Sequence, residues 1–151
     1  MQHKSNRVTL ALMDACPRTE AEADEYARDW IAAWNSHDVD RIAAHYGDSV
    51  EYDSPFVEQL QPGRTRLHGH AQVREYIESG FGRFPDLHFT GPYLVALGAS
   101  SVCIVYRSVN GLVAAETLVL DEHARVTRVH CHYRAVPQHG AAALTLPLEA
   151  S

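Results

Sequence analysis

Between residues 23 and 34 the apolar side chains Ala23, Tyr26, Ala27, Trp30, Ile31 and Trp34 recur every three or four positions, with Glu25, Arg28 and Asp29 between them. That is the period of a helix with one face in a core. Thr19-Glu20-Ala21-Glu22 has the order of a capping box and follows Pro17 by two residues, so the helix is predicted to begin there. Asn35-Ser36-His37-Asp38 breaks the period. Asp38 predicts the cap of a second helix over 39–46, which buries Val39, Ile42, Ala43 and Tyr46 and stops at Gly47.

Residues 49–53 read as a short strand, and the Pro- and Gly-containing stretch 54–69 as a loop that could overhang a cavity mouth. Val73, Tyr76, Ile77, Phe81 and Phe84 return to helical spacing, predicting a third helix from His70 to Phe84 ahead of Pro85. Strands are predicted over 87–97, 101–109, 112–120 and 125–134. Asn110-Gly111 supplies the positive φ angles of a two-residue hairpin turn between the second and third of these. Three N-terminal helices followed by an antiparallel meander predict an α+β fold in which a curved, mostly antiparallel sheet wraps the helices.

The 151 residues suffice for one domain, placed at 18–136, with a peripheral N-terminal segment at 1–17 and an Ala/Leu/Pro C-terminal tail at 137–151. Hydrophobic residues make up 46% and charged ones 21%, so the chain has the material for a core. A net charge of −6 without clustered Lys or Arg argues against nucleic acid and anionic membranes as partners. No apolar run approaches the roughly 20 residues needed to cross a bilayer, and a cytoplasmic protein is expected. Cys16, Cys103 and Cys131 are odd in number and form no Cys-x-x-Cys pair, so neither a disulfide framework nor a thiolate metal site is expected.

The stretch Trp30-Ile31-Ala32-Ala33-Trp34-Asn35-Ser36-His37-Asp38-Val39-Asp40 resembles the helix-to-helix junction of SnoaL-like polyketide cyclases and ketosteroid isomerases. Gly47 to Pro55, then Leu67-His68-Gly69 and the hairpin strands, continue in the order of these families, and the likeness runs from about Ala23 to Ala135. It implies the cone-shaped, cavity-forming barrel shared with nuclear transport factor 2.

A two-residue turn would set Arg107 opposite Ala114 and Val105 opposite Glu116. Glu116 then shares a face with Leu112, Ala114, Leu118 and Leu120, a lone carboxyl among apolar neighbours, with Arg107 diagonal to it. Burying an unpaired charge costs several kcal/mol. Two outcomes are open: an ion pair with Arg107, or an unpaired carboxyl whose raised pKa lets it donate a proton or hydrogen bond. The resemblance implies that Asp53 stands at the general base of ketosteroid isomerases and Glu116 at their protonated oxyanion-hole acid, the pair of divergent carboxyls that this enzyme typifies. Asp53 could equally be a turn-forming residue bonded to its own backbone. The oxyanion Tyr of the isomerases corresponds to Trp30, whose indole N–H cannot transfer a proton; Tyr26, Tyr106 and Tyr133 are candidate replacements.

On the last strand Val129, Cys131 and Tyr133 alternate with Arg128, His130, His132 and Arg134. The predicted pocket is an apolar cone of Trp30, Tyr52, Leu118, Val129, Cys131 and Tyr133, with Asp53, Arg107 and Glu116 as its polar groups. His130 and His132 then lie on the outer face of the sheet, where relatives of this fold dimerise. With no carboxylate or Cys at ligand spacing, they, His68, His70 and His88 are read as surface or interface histidines, and neither metal nor cofactor is expected. The resemblance implies an isomerase, cyclase or dehydratase acting on a small apolar carbonyl compound by proton transfer. Two alternatives stand beside it: an arrangement like that of limonene epoxide hydrolases built from Asp53, Arg107 and Glu116, and a non-catalytic ligand-binding or assembly module of the same fold.

Overall fold

Thr19 opens the first helix, α1 (Glu20–Asn35). Its hydroxyl accepts from the Glu22 amide and donates to the Glu22 carboxylate, each at 3.1 Å, so the capping box closes through the two side chains. The computed structural model describes residues 15–138. The expectations for 1–17 and 137–151 therefore lie outside the described residues, apart from 15–17 and 137–138. Asp38 caps α2 (Val39–Ala43) by accepting from the Arg41 amide at 3.2 Å. This helix ends earlier than its periodicity predicts, because Tyr46 is drawn into the sheet: it pairs with Val126, whose amide donates to the His45 carbonyl at 2.8 Å.

β1 (Tyr46–Asp53) is followed not by a plain loop but by a further helix, α3 (Pro55–Leu60). Ser54 caps it, accepting from the Phe56 amide, and Pro55 occupies the first turn, where its missing N–H costs nothing. Then come β2 (Leu67–His68), α4 (His70–Arg83), β3 (Thr90–Leu97), β4 (Ser101–Arg107), β5 (Leu112–Leu120) and β6 (Val126–Ala135). The six strands form one mixed sheet in the order β2-β1-β6-β5-β4-β3, parallel only between β1 and β6. The sheet stays open, with β2 and β3 at its edges. Trp30, Tyr46, Ile77, Ile104 and Leu118 lie in the core between the helices and the sheet's inner face.

Two departures from the sequence reading shape the site. β3 begins at Thr90 because the backbone just before it is already occupied. Asn35 accepts from the Phe89 amide at 2.7 Å and donates to the Phe89 carbonyl at 2.9 Å, and His37 bonds the Leu87 carbonyl at 2.7 Å. The β4–β5 hairpin closes through three residues, Val109, Asn110 and Gly111, with the Ser108 amide donating to the Leu112 carbonyl at 2.7 Å. Asn110 and Gly111 do take positive φ values, 57° and 69°. The extra loop residue shifts the ladder by one, so Ile104, not Val105, faces Glu116, and Arg107 faces Val113. A one-residue slip exchanges the two faces of a strand.

Candidate functional site

β5 sends Ala114, Glu116, Leu118 and Leu120 inward, and Glu116 is 1% exposed. In the shifted register its diagonal neighbour on β4 is Tyr106, and Cys131 lies directly opposite on β6. The Tyr106 hydroxyl donates to Glu116 Oε1 at 2.7 Å, and the Cys131 thiol donates to the same oxygen at 3.2 Å. Oε2 is buried and has no hydrogen-bond partner among the described residues. Burial pushes the Glu116 pKa up to about 7, against the pull of the Tyr106 and Cys131 hydrogen bonds.

Glu116 lines a narrow cavity between the helices and the sheet. Every layer contributes an aromatic wall: Trp34 from α1, Tyr52 from β1, Phe56 from α3, Tyr76 from α4, Tyr106 from β4 and Tyr133 from β6. Phe84, Leu87, Phe89 and Val109 narrow it further, and Glu116 is the one carboxyl among its lining residues. Burial raises the Tyr52, Tyr76, Tyr106 and Tyr133 pKa values, so these phenols are neutral donors and acceptors at ordinary pH.

Of the predicted pocket residues, Tyr52 and Tyr133 line this cavity. Trp30, Leu118 and Val129 are buried behind the lining, and the Trp30 indole N–H donates to the Tyr46 hydroxyl at 3.3 Å. Cys131 reaches the site through its bond to Glu116. Trp34, Phe56, Tyr76, Phe84 and Phe89 belong to the site without having been singled out. Trp34 and Tyr76 carry the helical period that marks a core face, and the same period serves a cavity wall. Of the candidate donors, Tyr106 meets Glu116, whereas Tyr26 packs edge-on against His45 at 6.2 Å.

Two predicted polar residues are elsewhere. Alternation along β1 turns Tyr52 inward and Asp53 outward, where Asp53 accepts from Arg66 Nε at 2.6 Å and lies 3.4 Å from His130 Nδ1. It lines an outer groove with Glu58, Thr65 and His132, not the cavity. Ser54, the next inward position, is buried and spends its hydroxyl on the α3 cap. Arg107 does not pair with Glu116. Its guanidinium donates to the Gly111 carbonyl at 2.8 Å and the Val136 carbonyl at 2.9 Å, tying the hairpin loop to the end of β6. Of the two outcomes open for Glu116, the ion pair with Arg107 depended on a two-residue turn and fails with it, and the carboxyl with a raised pKa remains. His130 and His132 are on the outer face as expected, and among the described residues no three His, Cys, Asp or Glu side chains converge as metal ligands.

An open mixed sheet under helices matches known proteins along most of the chain. The profile of the SnoaL-like domain fits residues 27–144. The chain belongs to the SnoaL-like family. This SnoaL-like protein is 38% identical to a SnoaL-like protein of unknown function from Burkholderia thailandensis, with a TM-score of 0.71 over 78% of this chain and 99% of that one. A candidate ketosteroid isomerase from Kribbella flavida shares the fold at 19% identity and a TM-score of 0.58, covering 78% of this chain and 82% of its own. SalBIII, described as an epoxide hydrolase/cyclase-like enzyme in pyran ring formation in the polyether salinomycin, shares it at 16% identity and a TM-score of 0.60, covering 76% and 92%. No functionally curated protein matches the chain. Among the described residues no helix is long and apolar enough to cross a membrane.

Proposed function

We propose that this SnoaL-like protein is a cofactor-independent isomerase, cyclase or dehydratase that moves a proton on a small apolar carbonyl compound, with Glu116 as its acid–base group. The observation that carries this reading is a single carboxyl in an aromatic cavity, with one free oxygen and a pKa near 7. A proton-transfer group works best when its pKa lies near the working pH, because both forms are then available. As carboxylate, Glu116 takes a proton from a carbon beside the carbonyl, leaving an enolate. As the acid so formed, it returns that proton to another carbon or to a departing hydroxyl. The neutral phenols of Tyr52, Tyr76 and Tyr133 line the same cavity and can donate to the enolate oxygen.

This is a one-carboxyl version of the chemistry suggested by the sequence, since Asp53 lies outside the cavity. An epoxide-opening arrangement of Asp53, Arg107 and Glu116 is not supported, because the three side chains do not meet. The position of Asp53 also favours a second reading: a non-catalytic module that holds an apolar ligand in the same cavity. In either case the proposed partners are a small apolar molecule and a second copy of the chain, docked through the outer sheet face that carries His130 and His132.

Deuterium wash-in beside the carbonyl of a panel of small apolar ketones, followed by proton NMR, separates the two readings. The enzyme reading expects exchange in the wild type and a roughly 10²- to 10⁴-fold loss in Glu116→Gln. Asp53→Asn should stay near wild type. Exchange that is equal in Glu116→Gln and wild type would remove Glu116 from the mechanism. Saturable binding without exchange would favour the carrier.

A further inference from the structure

Glu116 receives two donors of different kinds, and both go to the same oxygen. The β5–β6 ladder places Cys131 directly across from Glu116, and the β4–β5 ladder places Tyr106 diagonally across on the other side. Their hydrogen bonds of 3.2 Å and 2.7 Å converge on Oε1, while Oε2 has no partner. A carboxyl group rotates about its last bond, so one donor alone would not decide which oxygen faces the cavity. Two donors approaching from neighbouring strands do. We propose that Cys131 is a positioning residue for Glu116: together with Tyr106 it fixes Oε1 and leaves Oε2 as the oxygen through which the proton passes.

The thiol itself stays protonated, because burial and the nearby Glu116 charge both push its pKa up, so it holds the carboxyl and does not act as a nucleophile. The other titratable groups that face Glu116 are phenols: Tyr26 of α1, Tyr46 and Tyr52 of β1, Tyr76 of α4, and Tyr133 of β6, all raised by burial. With the phenols and the thiol neutral, the two direct donors are the groups that favour the carboxylate form.

The inference rests on Glu116 being the proton-transfer group, but its test does not require turnover. The Glu116 carboxyl carbon is followed by ¹³C NMR across pH in protein labelled at glutamate Cδ, with Glu116→Gln assigning the resonance. Cys131→Val keeps the bulk and removes the donor, so the midpoint should shift upward. Cys131→Ser should return it toward wild type. Tyr106→Phe, which removes the shorter bond, should raise it by roughly one pH unit. A Cys131→Val midpoint equal to wild type, with Tyr106→Phe shifted, would overturn the role of Cys131.

Should Cys131→Val not fold, the wild-type S–H stretching band decides. It should weaken in frequency as Glu116 ionises and stay fixed in Glu116→Gln; a band that ignores the titration would overturn the proposal. If the midpoints move as expected but no ketone exchanges, the catalytic reading falls and the carboxyl clamp stands.

Discussion

A carboxyl surrounded by aromatic rings, with one oxygen bonded and the other free, is tolerated in the fold as long as it keeps its proton. Glu116 has an ordinary value of 4.5 and a folded value of about 7. The folded state therefore holds this proton more tightly than the unfolded chain. Its contribution to stability is complete below pH 4.5 and is lost as the pH rises through 7, because the slope of stability against pH is negative wherever the native state binds more protons. The loss is on the order of 3 kcal/mol across that window. Glu116→Gln keeps the shape without the charge, so its urea midpoint should fall less than that of the wild type between pH 5 and pH 8. The mutant should be the more stable protein at pH 8. Glu116 stood out in the sequence because a charged residue interrupted an apolar strand face, a signal that needs no knowledge of the partner strand. Asp53 was misplaced for a related reason: its position next to Ser54-Pro55 says nothing of strand phase, which Tyr52 fixes by entering the core.

The elements were legible where their signals are local. Thr19 and Asp38 mark helix starts through bonds made within three residues, and β5 occupies the span its pattern predicts. Ser54-Pro55 carried a helix signal of the same kind, a capping hydroxyl followed by proline, hidden inside a stretch read as loop. The early end of α2 and the late start of β3 could not be read locally, since each follows from a partner far along the chain. Asn35 is the clearest case. Its amide satisfies both backbone groups of Phe89, which in turn packs on Trp34 and Tyr106 at the cavity. Asn35→Ala leaves that donor and acceptor without their partner and should cost about 2 kcal/mol by chemical denaturation. Ligand uptake should weaken alongside stability, since the displaced Phe89 ring is part of the cavity wall.

At the level of the whole molecule, the helices cover the inner face of the sheet, and the outer face carries exposed ion pairs such as Glu51–Arg128 at 2.6 Å and Asp53–Arg66. Exposed pairs of this kind contribute at most about 1 kcal/mol each and are screened by salt, so the fold depends on the aromatic core. A ligand that fills the cavity binds only the folded state and should raise the melting temperature with concentration, as mass action requires. For neutral apolar ketones the increase should be larger at pH 6 than at pH 8, where an ionised Glu116 sets a charge against the apolar ligand. Thermal melts at the two pH values check this, and equal shifts would show that the cavity binds without engaging the acid. The three-residue hairpin loop has its own consequence. Whether the acid meets a phenol or a guanidinium is decided by the number of residues between two strands, in a turn at the surface. A two-residue turn of Asn110 and Gly111, with Val109 drawn into the ladder opposite Leu112, would slide β4 by one position and offer Arg107 in place of Tyr106, with no residue mutated. Within this fold, then, the way one surface turn closes separates a neutral acid from an ion pair, and proton transfer from a different chemistry.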